Sequence, residues 1–182
     1  AEGLGRLVAA GRITSAEAAA APGRISLTSS LPEAVRDADV VIEAVTENID
    51  VKRAIFAELD VHAPRHAILA SNSSTFMPSL MAAATSRPEH VLVAHYFNPP
   101  HLLPLVELVR GEGTSDATIA AMHALYTSIG KSPAIVQKEA PGFVGNRLQM
   151  ALYREALAIV EAGIASPEDV DTIIHTGFGR RL

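Results

Sequence analysis

The hydrophobic pattern alternates between short apolar runs and longer amphipathic segments from Arg24 to Tyr96. The alternating segment "RISLTSS" predicts a short strand, and the nearly continuous apolar runs "DVVIEAV", "HAILASN" and "HVLVAHY" predict strands covered on both faces. Helical patterns separate them in "LPEAVRDA", "DVKRAIFAELDVHA" and "PSLMAAAT", the second with Ile55, Phe56 and Leu59 on its inner face. Alternation of strand and helix predicts βαβ units and a parallel sheet.

The pattern changes after Tyr96. The strand pattern "LPLVELV" follows "HVLVAHY" across the turn "NPPH", which is too short for a helical crossover, so these two strands should be antiparallel. A helix "SDATIAAMHALYTSIG", with Ser115 as its cap and Gly130 at its end, and a strand "SPAIVQ" follow. At the other end, "AEGLGRLVAAGRITSAEAAAA" predicts two short helices.

A long apolar helix begins in "GFVGNRLQMALYREALAIVEAG", and we place a domain boundary near Lys138 to Pro141. The predicted fold class is therefore α/β: a mostly parallel sheet with an added antiparallel strand pair, followed by the start of an all-α domain. The two predicted units are residues 1–138 and 139–182.

Composition excludes several classes of function. The chain is 48% hydrophobic and 19% charged, which is typical of globular proteins, and its net charge of −5 with scattered basic residues argues against nucleic acid as a partner. No apolar run approaches the roughly 20 residues that span a membrane, and we expect a cytoplasmic protein. There is no cysteine, and the seven histidines lack metal-ligand spacing, so we expect no metal site.

An ionisable pair stands inside two of the apolar runs. His95 lies in "VLVAHY" and Glu107 in "PLVELV", and the tight turn between the runs lets the two side chains face each other. A carboxylate beside an imidazole orients it and stabilises its protonated form, which produces a general acid/base for moving a hydroxyl proton. A structural ion pair beneath the turn is the alternative.

Other polar residues follow the predicted strands. "SNSSTF", residues 71–76, comes after "HAILA" and provides Asn72, Ser73 and Ser74, either as helix caps or as ligand-binding groups at a strand end. Glu47 and Lys52 follow "DVVIEAV", where Glu47 can bind sugar hydroxyls or simply favour a helix start.

Asn146 lies in "APGFVGNR", at the start of the long helix. Asparagine is a poor helix former with several hydrogen-bonding groups to satisfy, so the side chain is either a surface or capping group or one that contacts a substrate.

A glycine-rich dinucleotide loop is not found. The segment "GLGRLVAAG" offers Gly3 and Gly5, but no strand pattern precedes them and position 8 is valine, so we reject it as a GxGxxG motif.

Taken together, "DVVIEAVTEN", "SNSS", "AHYFNPP", "PLVELV" and "KEAPGFVGNRL" resemble the L-3-hydroxyacyl-CoA dehydrogenase family, in order and in spacing. The resemblance implies a Rossmann-like NAD-binding domain and a helical C-terminal domain that forms a homodimer. It also implies NAD as the cofactor, a small-molecule substrate and oxidation of the 3-hydroxyl of an acyl-CoA to a ketone, as in β-oxidation.

The resemblance also implies roles for individual residues. His95 matches the family's catalytic base, Glu107 the acid paired with it, and Asn146 the asparagine near the substrate carbonyl. Ser74 matches the serine that contacts both substrate and nicotinamide. NAD contacts are implied for Glu47, Lys52 and Asn98, besides Ser74.

The family's first βαβ unit, with its phosphate loop and its ribose-binding acid, has no counterpart in the sequence. In the usual strand order, "RISLTSS" would be separated from "DVVIEAV" by two strands that are not found, which would leave a gap in the sheet. We therefore expect a partial chain that alone neither binds NAD tightly nor turns over substrate.

The substrate has alternatives. "NPPHLLPLVELV" resembles relatives that act on carnitine, gulonate or other small 3-hydroxy acids as well as it resembles the acyl-CoA enzymes. A non-catalytic binding or structural relative is a third hypothesis, against which the set of His95, Glu107, Ser74 and Asn146 argues.

Overall fold

The computed structural model describes residues 2–180. Its strands are β1 Val40–Glu43, β2 Ile68–Ser71, β3 Val91–Tyr96, β4 Leu105–Arg110 and β5 Ser132–Val136. Its α-helices are α1 Glu2–Ala9, α2 Ser15–Ala20, α3 Leu31–Val35, α4 Ile49–His62, α5 Pro78–Ala82, α6 Asp116–Ser128, α7 Gly145–Glu161 and α8 Pro167–Thr176. Short 3₁₀ helices cover Ala21–Arg24, Pro88–His90 and Phe178–Arg180. Within residues 2–180, no helix combines the length and the apolar character that crossing a bilayer requires.

The five strands form one sheet in the order β1-β2-β3-β4-β5. The pairs β1–β2, β2–β3 and β4–β5 are parallel, and β3–β4 is antiparallel. The sheet is therefore mostly parallel with one antiparallel pair, and the predicted reversal across the "NPPH" turn is confirmed.

Alternate side chains along β3 enter two separate cores, one on each face of the sheet. Val91 and Val93 pack against α4 and α5 in a core that also contains Phe56, Leu59 and Met81. Leu92 and Ala94 lie in the opposite core with α6 residues, among them Met122. Because successive strand residues point to opposite faces, odd-numbered positions of β3 face α4 and α5.

Local polar groups set the helix ends where the sequence indicates them. Thr14 caps α2 in a capping box with Glu17, and Ser115 caps α6 by accepting a hydrogen bond from the Thr118 amide. Gly130 follows α6 with φ of +77°, a conformation that a side chain disfavours.

The predicted strand "RISLTSS" is wrong. Residues 25–30 have no regular secondary structure, and Leu27 is 95% exposed. Two physical reasons account for this. First, no strand of the described chain pairs with the free edge of β1. Second, local hydrogen bonds compete with pairing between strands, because Ser30 caps α3 and its amide donates to Thr28 Oγ1. The sheet is continuous, so the expected gap next to "DVVIEAV" is also wrong.

Helix α8 is an element that the sequence analysis did not predict. Ser166 caps it by accepting from the Asp169 amide, Pro167 occupies its first position, and Gly177 follows its last. This arrangement of cap, proline and glycine is a recognisable helix pattern. Together α7 and α8 form the helical C-terminal part of the fold.

Candidate active site

Strand register brings the predicted ionisable pair together. In the antiparallel β3–β4 ladder, His95 lies directly opposite Glu107. Both are odd-numbered, like Val93 and Val109, which lie in the core against α4 and α5. Two facing residues of an antiparallel pair have Cβ atoms about 5 Å apart, close enough for a direct side-chain bond.

The histidine and the glutamate form a buried hydrogen-bonded pair. His95 Nδ1 lies 2.9 Å from Glu107 Oε2, and the two residues are 4% and 2% exposed. An ionised carboxylate accepts only, so the proton of the neutral imidazole resides on Nδ1. Nε2 has no hydrogen-bond partner among residues 2–180 and is not one of the fully buried unpaired atoms there, so its lone pair is accessible.

The second oxygen of Glu107 is held by the start of helix α7. Glu107 Oε1 accepts from the backbone amides of Val144, at 3.0 Å, and Gly145, at 2.8 Å. Burial disfavours the charged carboxylate, but the hydrogen bonds from His95, Gly145 and Val144 outweigh it and hold the pKa of Glu107 below its ordinary value. These bonds therefore stabilise the fold at neutral pH, and that contribution is lost as pH falls through the lowered pKa.

Two phenylalanines enclose the imidazole. The ring centroids of Phe97 and Phe143 lie 4.8 Å and 5.6 Å from that of His95. A Cβ on Gly145 would clash with Phe97 Cζ, so a larger residue there would displace the Phe97 ring. Gly145 thus permits the close approach of α7 that completes both the aromatic wall and the amide bonds to Glu107.

The predicted Ser74 and Asn146 also meet. Asn146 Nδ2 donates to the backbone oxygen of Ser74 at 3.2 Å. Ser74 is exposed, and Asn146 is half-buried. This bond joins the loop after β2 to the first turn of α7, 72 residues further along the chain.

The residues predicted to contact a cofactor follow the carboxyl ends of β1, β2 and β3. Glu47 Oε1 accepts from Ser73 Oγ at 2.5 Å, and its Oε2 lies 3.2 Å from Lys52 Nζ. Burial opposes its charge, but the hydroxyls of Ser73 and Thr75 and the Lys52 ammonium keep the pKa of Glu47 below its usual range. Asn98 is exposed in the turn after β3, where it precedes a cis proline.

Several residues of the site were missed by sequence reasoning. Glu43, buried at the end of β1, bonds Lys52, and its position inside the apolar run "DVVIEAV" is the same signal that pointed to His95. Phe143 and Gly145 had no such signal, since their role depends on where α7 packs.

The donor set at the strand ends fits part of a dinucleotide. A half-exposed carboxylate, Glu47, and the exposed Ser74 and Asn98 provide acceptors and donors suited to ribose hydroxyls and a carboxamide. They lie where open α/β sheets bind ligands, beyond the carboxyl ends of parallel strands. Within residues 2–180 no glycine-rich turn follows a strand, so the described residues do not include the phosphate-binding turn of a dinucleotide site.

Comparison with known families gives two matches. The family "3-hydroxyacyl-CoA dehydrogenase, NAD binding domain" matches residues 1–140, and "3-hydroxyacyl-CoA dehydrogenase, C-terminal domain" matches residues 142–182.

Curated relatives include L-carnitine dehydrogenase of Mesorhizobium japonicum, which is 42% identical over 160 residues, or 87% of this chain and 44% of the relative. Lambda-crystallin of Oryctolagus cuniculus is 45% identical over 157 residues, or 86% of this chain and 49% of the relative. The chain thus spans about half the length of the curated relatives it matches.

Among solved structures, (S)-3-hydroxybutyryl-CoA dehydrogenase of Ralstonia eutropha superposes with a TM-score of 0.86 at 40% identity. The match covers 95% of this chain and 60% of that chain. It confirms the predicted Rossmann-like fold.

The matched families agree with the resemblance carried by the motifs, and NAD is the cofactor named for the first domain, as predicted. Because the matches together extend over residues 1–140 and 142–182, the chain belongs to the 3-hydroxyacyl-CoA dehydrogenase family.

Proposed function

We propose that the complete natural polypeptide carrying this chain oxidises the 3-hydroxyl of an L-3-hydroxyacyl-CoA to the 3-ketone with NAD. The observation that carries the proposal is the His95–Glu107 pair, whose Nδ1–Oε2 bond leaves Nε2 accessible as a base. A family structure that acts on a 3-hydroxyacyl-CoA, the (S)-3-hydroxybutyryl-CoA dehydrogenase, supports the choice of substrate.

His95 accepts the proton of the 3-hydroxyl. As the 3-hydroxyl becomes a carbonyl, its O–H bond breaks and the proton passes to His95 Nε2, while the C3–H bond breaks with its electron pair. Bound NAD would supply the acceptor for that hydride. Glu107 stabilises the resulting imidazolium, because its carboxylate lies 2.9 Å from Nδ1.

Other residues would hold the reactants. Ser74, exposed beside the half-buried Asn146, can hydrogen-bond the oxygen on C3 and keep C3 oriented. Glu47 and Asn98 would bind the nicotinamide half of the cofactor, where their polar groups fit. The apolar rings of Phe97 and Phe143 exclude water from the imidazole.

A second candidate is a small 3-hydroxy acid such as carnitine. It is favoured by relatives named L-carnitine dehydrogenase, which are 42% and 43% identical to this chain. The chemistry at His95 is the same for both candidates, so the difference lies in what binds the rest of the substrate.

The domain organisation and assembly belong to the same proposal. Residues 1–138 would bind the cofactor, and residues 139–182 would begin the helical domain for substrate binding and dimerisation. Exposed apolar residues on α7 and after it, Leu148, Leu157 and Ile164, support a homodimer through this part.

NADH formation by the complete polypeptide tests the substrate directly. We expect turnover with L-3-hydroxybutyryl-CoA that exceeds turnover with carnitine and gulonate by at least about tenfold in kcat/KM, the factor that a difference of 1.4 kcal/mol in transition-state binding produces. The D-isomer is the matched control and should be inactive. Higher kcat/KM with carnitine would establish the second candidate, and no turnover with any of the three would contradict the proposal.

A further inference from the structure

A buried ion pair lies at the carboxyl end of β1. Lys52 Nζ lies 2.9 Å from Glu43 Oε1 and 3.1 Å from Oε2, and each side chain is 1% exposed. Burying two charges costs much of what their attraction returns, so such a pair is weak evidence for stability alone. Its connections indicate another role.

Glu43 ties three elements together. Its Oε1 also accepts from the Val45 amide at 2.6 Å, and its Oε2 accepts from Ser71 Oγ at 2.6 Å. Ser71 is the residue opposite Glu43 in the β1–β2 ladder. The carboxylate therefore joins the ends of β1 and β2 to Lys52 in the first turns of α4.

Lys52 also forms an ion pair with Glu47, whose Oε2 lies 3.2 Å from the ammonium. The other oxygen of Glu47 accepts from the hydroxyls of Ser73 and Thr75, at 2.5 Å and 2.7 Å, and from the amides of Ser74 and Thr75, at 3.2 Å and 3.3 Å. One carboxylate thus fixes both the side chains and the backbone of residues 73–75.

The loop fixed in this way carries functional groups. Ser74 presents its backbone oxygen to Asn146 and its side chain to solvent. Lys52 is enclosed, whereas the side chain of Glu47 is 40% exposed. The ammonium therefore acts on the surface of the site through Glu47 rather than by direct contact with a ligand.

We propose that Glu43 is a positioning residue: by holding Lys52 against Glu47, it keeps residues 73–75 in the shape that receives the nicotinamide half of NAD. This inference rests on the proposed cofactor binding, but the loop can be measured without cofactor. Glutamine cannot replace Glu43, because it has no charge to balance Lys52 and offers one acceptor oxygen instead of two.

The test compares Glu43→Gln with Asp60→Asn in the complete polypeptide. Asp60 is a matched control on the same helix, since its Oδ1 lies 3.1 Å from Nε of the buried Arg87, and neither residue has a hydrogen bond to residues 73–75. Both variants break an ion pair of α4 and should be less stable. Only Glu43→Gln should raise the Kd for NADH and the KM for NAD, each by about tenfold, as expected for lost hydrogen bonds to a charged group.

Amide hydrogen exchange without cofactor measures the loop itself. The amides of Ser74 and Thr75 should exchange about tenfold faster in Glu43→Gln and at the wild-type rate in Asp60→Asn. Wild-type exchange and wild-type NADH affinity in folded Glu43→Gln would overturn the inference. Faster exchange in a protein whose wild type binds no NADH would uphold the positioning of the loop and contradict the proposed cofactor binding.

If Glu43→Gln does not fold, Glu43→Asp is measured in its place. It keeps a negative charge beside Lys52, but its shorter side chain cannot retain the bonds to both Lys52 and Ser71 Oγ. The exchange rate of the Ser74 and Thr75 amides and the Kd for NADH should each rise by about threefold. Unchanged loop exchange and NADH affinity in this variant would overturn the inference.

Discussion

Replacing His95 with glutamine should lower kcat by about 10²- to 10⁴-fold, the range that a general base contributes. Glutamine approximates the size of the ring, and its amide cannot accept a proton at neutral pH. The Kd for NADH should remain near the wild-type value, because the base does not hold the cofactor. Steady-state rates and NADH fluorescence titration on the complete polypeptide measure the two quantities.

His123→Gln is the matched control for this variant. His123 lies on α6, the helix that packs on the opposite face of the sheet from His95. It should retain wild-type kcat. Near-normal turnover by His95→Gln would contradict the assignment of the base.

Replacing Glu107 with glutamine should lower kcat by about 10²- to 10⁴-fold as well, through the tautomer of the histidine. The glutamine oxygen can keep the bonds from the Val144 and Gly145 amides, which turns its NH₂ group toward His95 Nδ1. Nδ1 must then accept, so the proton moves to Nε2, which can no longer act as a base.

The pH dependence of the residual activity gives a second readout. The ionised Glu107 stabilises the protonated imidazole, and oxidation requires the unprotonated one. Removing that carboxylate removes the charge that stabilises the imidazolium, so the acidic limb of the pH–rate profile should move to lower pH. Glu112→Gln, the same change at an exposed position just after β4, is the control. An active Glu107→Gln with an unchanged profile would make Glu107 a purely structural residue.

The elements that sequence predicts well are those with local causes. The cap at Ser115 and the glycine at 130 delimit α6 because a cap and a positive φ act within one turn. The turn between β3 and β4 likewise fixes their antiparallel pairing, and with it the contact between His95 and Glu107. Helix α8 was missed although Ser166, Pro167 and Gly177 delimit it in the same way.

What sequence could not predict depends on distant partners. Alternation in "RISLTSS" indicates a strand only if another strand is available to pair with it, and local pattern does not supply that information. The amides that bind Glu107 lie 37 and 38 residues further along the chain, and Ser71 lies 28 residues after Glu43. Such bonds depend on how helices and strands pack, so the residues were predictable as polar groups in apolar runs, but their partners were not.

The most direct measurement follows the hydrogen on C3 of the substrate. The complete polypeptide is given NAD and L-3-hydroxybutyryl-CoA carrying deuterium at C3, and the reduced cofactor is analysed by mass spectrometry. We predict that the deuterium is recovered in NADH, while the proton of the 3-hydroxyl passes through His95 to water. Ketone formation with the deuterium released to solvent would contradict the account.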